Sequence, residues 1–237
     1  MKQLTNIKPL KPPTVFFGQL GDEKIILKRA QAQERAALFA LHHSGIVAIK
    51  AEINIDADEY LVFDHCGKNL YQQQVTPTQA ASIVRDVAKT CIYLHVKGAH
   101  NDITPGNICI QNKPRLVDFE QYLPTCDQSV QLGTPGFRCS DQLYGKSRPT
   151  NDVFGLGATM SYLFSGEPPF LRGDNQQTWR SLDEPVKSRF EDTVLRTTTP
   201  YIRCPVQYRA LIEKMLKYQP QERPSINEVY NYLSNEV

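Results

Sequence analysis

Short apolar runs, broken by turn residues, fill the first quarter of the chain. "TVFFG", "EKIILKR", "GIVAIKAEI" and "EYLVFDHC", spread over residues 14 to 66, have the composition and short period of strands. One segment among them, "QAQERAALFALHH", has helical spacing instead. From Thr76 onward helical patterns dominate. "TPTQAASIVRDVAKTCIYLH" opens on a Thr suited to capping and repeats apolar side chains at Ile83, Val84, Val87, Cys91 and Leu94. "NDVFGLGATMSYLF" is apolar nearly all round, which predicts a buried central helix. Further helices fit residues 205–218 and 225–233. No internal repeat or low-complexity tract interrupts the pattern.

One stretch between the helices reads differently. In "HNDITPGNICIQNKPRLVDFEQ" the apolar residues Ile108 and Ile110 precede the turn "NKP", and Leu116 and Val117 follow it. That spacing predicts a β-hairpin. Asp102 and Asn107 stand before its first strand and Asp118 after its second. A hairpin brings its ends together, so the three oxygen-bearing side chains should meet, and such a group suits Mg²⁺, which takes oxygen ligands and keeps positions for water and phosphates.

Composition narrows the classes. Lys and Arg number 27 against 25 Asp and Glu, a net charge of +2. Neither nucleic acid nor an anionic membrane is implied as a partner. At 237 residues and 41% hydrophobic, the chain can bury a full core, in two lobes if need be. Its six cysteines form no CxxC pair and have no His at zinc spacing, the pattern of reduced, mostly buried thiols in a cytoplasmic protein. The opening "MKQLTNIKPLKPP" lacks the apolar core of an export signal, and no run reaches the ~18 apolar residues of a membrane span. Delivery into a host cell as an effector, by a signal not visible here, stays open.

The motifs resemble those of eukaryotic-type protein kinases of the Ser/Thr class. "HNDITPGN" resembles the catalytic loop HRDxxxxN, and "VDFE" resembles the DFG metal motif. "GTPGFRCSD" is similar to the substrate-positioning loop ending in APE, "NDVFGLGATMSYLFSGEPPF" to DxWSxGxxxxELxxGxxPF, and "KYQPQERPSINEV" to DPxxRPTxxEL. They stand in family order from about residue 60 to 233. The resemblance implies an α+β, bilobal protein-kinase-like fold. A reduced, β-rich, nucleotide-binding N-lobe would occupy 1–66, and a larger helical C-lobe with catalytic and substrate-binding parts would occupy 67–237.

It also implies ATP and Mg²⁺ as cofactors and a protein as substrate. Asp102 would orient or deprotonate the acceptor hydroxyl, while Asn107 and Asp118 would bind metal. Lys28 in "KIILK" would grip the α and β phosphates and pair with Glu34, although only six positions separate the two and the connection between strand and helix must be nearly absent. Phe63 would back the adenine pocket, with backbone groups of Asp64 and Cys66 reading the base edge. Gly133, Thr134 and Pro135 resemble the platform for the substrate, where the Thr134 hydroxyl can bond toward Asp102. Asp141 and Arg223 resemble a buried acid–arginine pair.

Departures from the pattern carry their own expectations. No GxGxxG precedes Lys28; the corresponding region reads "NIKPLKPP", whose prolines remove backbone N–H donors. Phosphate cover would be partial or lysine-based, with Lys8 or Lys11 as candidates, and an activating protein partner could complete the small N-lobe. Asn101 stands where the family has Arg. That argues against control by loop phosphorylation, so that among Thr125, Ser129 and Thr134 only Thr134 should matter. Thr104 replaces a Lys. Glu120 replaces the DFG glycine and either binds metal or faces solvent. Two other classes remain open: a pseudokinase acting as a binding or scaffold module, and a small-molecule kinase of the choline or aminoglycoside type, which shares HxDxxPGN and D-[FYW]-E but lacks the later segments.

Overall fold

The computed structural model describes residues 4–11, 13–124 and 132–236. Thr125, Cys126 and Ser129 lie outside the described residues. The N-terminal part is a five-stranded antiparallel sheet in the order β1-β2-β3-β5-β4, built from β1 (Leu4–Lys11), β2 (Val15–Leu20), β3 (Glu23–Arg29), β4 (Ile49–Ile55) and β5 (Asp58–Asp64). Alternation along β3 divides its two faces. Ile25 and Leu27 enter a small core with Tyr60 and Val62, whereas Ile26 and Lys28 point to the other side, where α1 (Ala32–Ala40) packs.

β1 is a departure from the sequence reading, which placed no strand over "NIKPLKP". It pairs with β2 and lies at the sheet edge, with Pro9 opposite Phe16. An edge strand tolerates proline because one row of its N–H groups needs no partner. Register shifts between Thr5 and Lys8 and between Pro9 and Lys11 absorb the mismatch. The Thr14 N–H closes the turn onto the Lys11 carbonyl at 2.9 Å.

Two short sheets follow. β6 (Lys68–Asn69) pairs with β8 (Ile108–Ile110), which pairs with β9 (Pro114–Leu116), and β7 (Gly98–Ala99) pairs with β10 (Leu123–Pro124). β8 and β9 form the expected hairpin, with Ile108 opposite Leu116.

The rest is helical: α2 (Pro77–Leu94), α3 (Ser140–Leu143), α4 (Pro149–Ser165), α5 (Gly173–Ser181), α6 (Glu184–Thr197), α7 (Val206–Met215) and α8 (Ile226–Glu236). Thr76 and Gln79 cap α2 reciprocally. α4 is buried from Asn151 to Ser161 and ends on left-handed Gly166. It approaches its neighbours closely through two glycines. A Cβ on Gly155 would stand 2.8 Å from the Ile103 carbonyl, and one on Gly157 would stand 2.7 Å from the Met215 Cβ. No helix among the described residues is long and apolar enough to cross a membrane.

Candidate active site

Of the three residues flanking β8 and β9, Asp102 and Asn107 are joined directly, and Asp118 lies close enough to push the Asp102 carboxyl up electrostatically. Asn107 spends its side-chain amide on Asp102, donating to the main-chain carbonyl at 2.9 Å and to Oδ2 at 2.8 Å. The hairpin base is closed by the Val117 N–H, which donates to the Asn107 carbonyl at 3.0 Å. Asp118 follows directly, in a left-handed conformation with φ 65°. Asn and Asp tolerate that region better than other residues with side chains.

Asp102 sits between two segments. Its Oδ1 accepts from the Thr134 N–H at 2.8 Å and from the Thr134 hydroxyl at 2.7 Å, which brings the "GTPGF" loop onto the hairpin end. Burial pushes the Asp102 carboxyl up, while the Thr134 and Asn107 donors pull it down. His100 supports the turn. Its Nδ1 accepts the Asp102 N–H at 3.2 Å, which leaves Nε2 to donate to the Val117 carbonyl at 3.2 Å, and its ring meets Phe119 edge-on at 4.6 Å. Fully buried Asp152, near the start of α4, accepts the backbone N–H groups of His100 at 2.9 Å and Asn101 at 2.8 Å.

Lys28 and Glu34 do pair. Only Ala30 and Gln31 separate β3 from α1, and the extended Gln31 aims the first turn of the helix back at the strand. The Lys28 Nζ lies 2.9 Å and 2.8 Å from the two Glu34 carboxylate oxygens, and Glu34 Oε1 also accepts the Phe119 N–H at 3.0 Å. The same Nζ reaches Asp118 Oδ1 at 2.8 Å and Glu120 at 2.7 Å. Glu120 therefore neither faces solvent alone nor stands apart from Lys28. Burial opposes the charge on Lys28, but Asp118 and Glu34 outweigh it and hold the ammonium well above its ordinary value. Burial also pushes the Glu34 carboxyl up, against the pull of Lys28. Asp118 goes the other way: burial would raise it, but Lys28 holds it below the usual carboxylate range. Lys11, at the tip of the β1–β2 hairpin, adds a smaller pull in the same direction.

The remaining expected residues are more scattered. Phe63 is buried opposite Ile26, next to the Lys28 face. The Asp64 side chain turns out to Lys50 at 2.8 Å, and its carbonyl accepts the Cys66 thiol at 3.3 Å. Cys66 is buried, and burial pushes its thiol up. Lys8 lies exposed on β1 opposite Phe17.

One expected pair does not form. Asp141 and Arg223 are not joined; Asp141 Oδ2 lies 3.2 Å from Arg148 Nε. The Arg223 guanidinium is consumed by carbonyls, those of Lys217 at 2.8 Å, Thr150 at 3.0 Å and Tyr218 at 2.9 Å, and lies over the Phe154 ring at 5.0 Å. Aspartate is one methylene shorter than the family's glutamate, and three carbonyls satisfy the donor fork without it. The buried ion pair of this region is Arg138–Glu191 instead. Arg138 Nη2 lies 2.6 Å from Glu191 Oε2, and Glu191 Oε1 accepts the Gly136 N–H at 3.1 Å. Nothing in the spacing of "GFRCSD" and "SRFEDT" announces that contact. Asp152 was signalled only as part of "NDVFGLG".

A family model of the protein kinase domain matches residues 20–233. The chain is 29% identical over 202 residues to serine/threonine-protein kinase D of Synechocystis sp., covering 76% of this chain and 39% of that protein. It is 26% identical over 167 residues to mitogen-activated protein kinase kinase kinase 17 of Arabidopsis thaliana, covering 67% and 43%. Aurora kinase C of Mus musculus is 25% identical over 206 residues, covering 81% and 70%. The matches thus span less than half the length of the first two relatives. With the matched segment running from the last residue of β2 through β3, the hairpin and nearly all of the helical part described above, the chain belongs to the protein kinase domain family.

Proposed function

We propose that the chain is an ATP- and Mg²⁺-dependent protein kinase that transfers the γ-phosphoryl group to a serine or threonine hydroxyl of a protein. The observation that carries this reading is the pair of hydrogen bonds that Thr134 donates to Asp102, because it joins the carboxylate to a loop suited to presenting a polypeptide. Thr134 occupies Asp102 Oδ1 and Asn107 occupies one position on Oδ2, so Oδ2 keeps lone-pair capacity for an incoming hydroxyl. Asp102 then orients that hydroxyl and takes its proton.

Lys28, fixed by Glu34, grips the nucleotide phosphates. Asn107 and Asp118 would hold the metal. The fit is chemical: Asn107 uses its amide nitrogen on Asp102, which leaves Oδ1 as the available atom, and Asp118 is held ionised, so both offer the hard oxygen donors Mg²⁺ prefers. When bound, the ion supplies screening of the charge that spreads over the phosphoryl oxygens. A pseudokinase would have little use for Lys28, Asp102, Asn107 and Asp118 together, and a small-molecule kinase would have little use for the Thr134 loop.

The test is incubation with radiolabelled ATP, Mg²⁺, a panel of basic proteins and a panel of small alcohols. Label on protein Ser or Thr is the expected result. Label on the alcohols alone supports a small-molecule kinase, and none anywhere supports a binding module.

A further inference from the structure

Asn101 takes the place of a charged residue, yet it is 1% exposed and every polar atom of its side chain is used. Its backbone is left-handed, φ 64°, which aims the side chain into the space between the catalytic loop, the segment after Asp118, and α3 and α4. Nδ2 lies within hydrogen-bond reach of the carbonyls of Ala99 and Gln121, both at 3.1 Å, and of the Ser147 hydroxyl at 2.9 Å. Oδ1 accepts from Asn151 Nδ2 at 3.2 Å. The Asn101 carbonyl accepts from Gln142 Nε2 at 2.5 Å, while Gln142 Oε1 accepts the Cys139 N–H at 2.9 Å.

This network reaches Thr134 through two residues. The Leu132 N–H donates to the Gln142 carbonyl at 3.0 Å, and the Gly133 N–H donates to Gln121 Oε1. Gly133 must be glycine for that approach: its φ is +77°, and a Cβ would stand 2.6 Å from both Gln142 Nε2 and Arg138 Cβ. Gln121 is the bridge. Its main-chain carbonyl is tied to Asn101, and its side chain holds the residue just before Thr134.

Asn101, Gln121, Gln142, Ser147 and Asn151 carry no formal charge. A lock made from an arginine and a phosphate opens when the phosphate leaves, whereas these neutral groups, buried at Asn101, Gln142, Ser147 and Asn151 and half-buried at Gln121, keep their bonds with no charge to lose, and an orphaned buried donor or acceptor is costly. We infer that Gln121 is a positioning residue, which holds Gly133 so that Thr134 stays on Asp102 without any phosphate on the chain. The inference rests on the kinase reading for its kinetic consequence, though the contact itself can be tested without turnover.

Gln121→Leu removes the acceptor, and Gln121→Glu keeps it. The two variants and the wild-type chain are compared by steady-state kinetics and by hydrogen exchange at residues 132–136, with the wild-type chain also assayed after phosphatase treatment. Gln121→Leu should lower kcat about tenfold or more with the KM for ATP within about twofold, and it should speed exchange at 132–136; Gln121→Glu should restore both. Phosphatase treatment should leave kcat unchanged. A Gln121→Leu variant with wild-type kcat and exchange, or loss of activity after phosphatase, overturns the inference. If the wild-type chain transfers no phosphate, the kinase reading fails by itself. Exchange then decides: faster exchange in Gln121→Leu supports the contact, and unchanged exchange removes it.

Discussion

The Lys28 ammonium lies 2.7 Å from Glu120, a carboxylate at the position where the family places glycine. Glu34 and Asp118 complete a cluster of three acids on one cation. A nucleotide phosphate seeking Lys28 must displace one of them; Glu34 is buried, Asp118 and Glu120 are each about one-third exposed, and Glu120 is the one of that pair not assigned to the metal. Glu120→Gln should therefore tighten binding of metal-free ADP. A part-exposed pair contributes ~1 kcal/mol at most, so the gain is up to about fivefold. Titration calorimetry without Mg²⁺ reads it. Weaker binding, seen only when Mg²⁺ is present, would instead make Glu120 a metal ligand.

Asp102 and Asp118 should fail in different ways. Asp118→Asn removes charge from the residue that contacts Lys28, and it should weaken Mg·ATP binding together with turnover. Asp102→Asn should leave nucleotide binding within about twofold and remove most phosphoryl transfer. Fluorescent-nucleotide binding alongside a transfer assay separates the two, and wild-type turnover in Asp102→Asn would refute the assigned role.

Thr134→Ala deletes the hydroxyl bond to Asp102 but keeps the backbone one. A hydrogen bond to a charged group contributes about 1.5–3 kcal/mol, so kcat/KM should fall by roughly tenfold to a hundredfold, and Thr134→Ser should recover most of it. Equal loss in the Ser and Ala variants would point to the methyl group rather than the hydroxyl.

The stability of the helical part should depend on Glu191 and not on Asp141. Glu191→Ala strands the Arg138 guanidinium, itself 5% exposed, and should cost about 3–5 kcal/mol. Asp141→Ala loses a contact to Arg148, which is half-exposed, and should cost ~0–1 kcal/mol. Arg223→Ala should destabilise strongly because three carbonyls lose their donor. Urea titrations of the three variants rank them, and a larger loss for Asp141→Ala than for Glu191→Ala would reverse the assignment.

What could be read from the chain alone was local or periodic. Turn chemistry around "NKP" predicted the hairpin of β8 and β9, and apolar spacing located α2 and α4. The Lys28–Glu34 pair was legible only through the family pattern, and its short connection works because two residues, Ala30 and the extended Gln31, suffice. Long-range polar partners were another matter. Arg138–Glu191 and the Gln121–Gly133 contact join residues whose types and intervals repeat nowhere, so only tertiary packing selects them. Family likeness even misled at Asp141, where one missing methylene redirected the acid to Arg148. The strand at β1 was hidden because its prolines argue against strand everywhere except at an edge.

The grip of α4 on the segment from His100 to Ile103 divides the site by mechanical allegiance. Asp152 holds the N–H groups of residues 100 and 101, the Thr159 hydroxyl reaches the Ile103 carbonyl at 3.3 Å, and Gly155 lets the helix lie flush beneath it. Asp102 and Asn107 are thus borne by the helical body, while Lys28 rides on the sheet and meets that body through Asp118 and Glu120. A rocking of sheet against helices would stretch the Lys28 contacts to Asp118 and Glu120 and leave the Asp102–Asn107 bond intact. On the roles proposed above, the acceptor half would then be a fixed anvil and the nucleotide half the part drawn back.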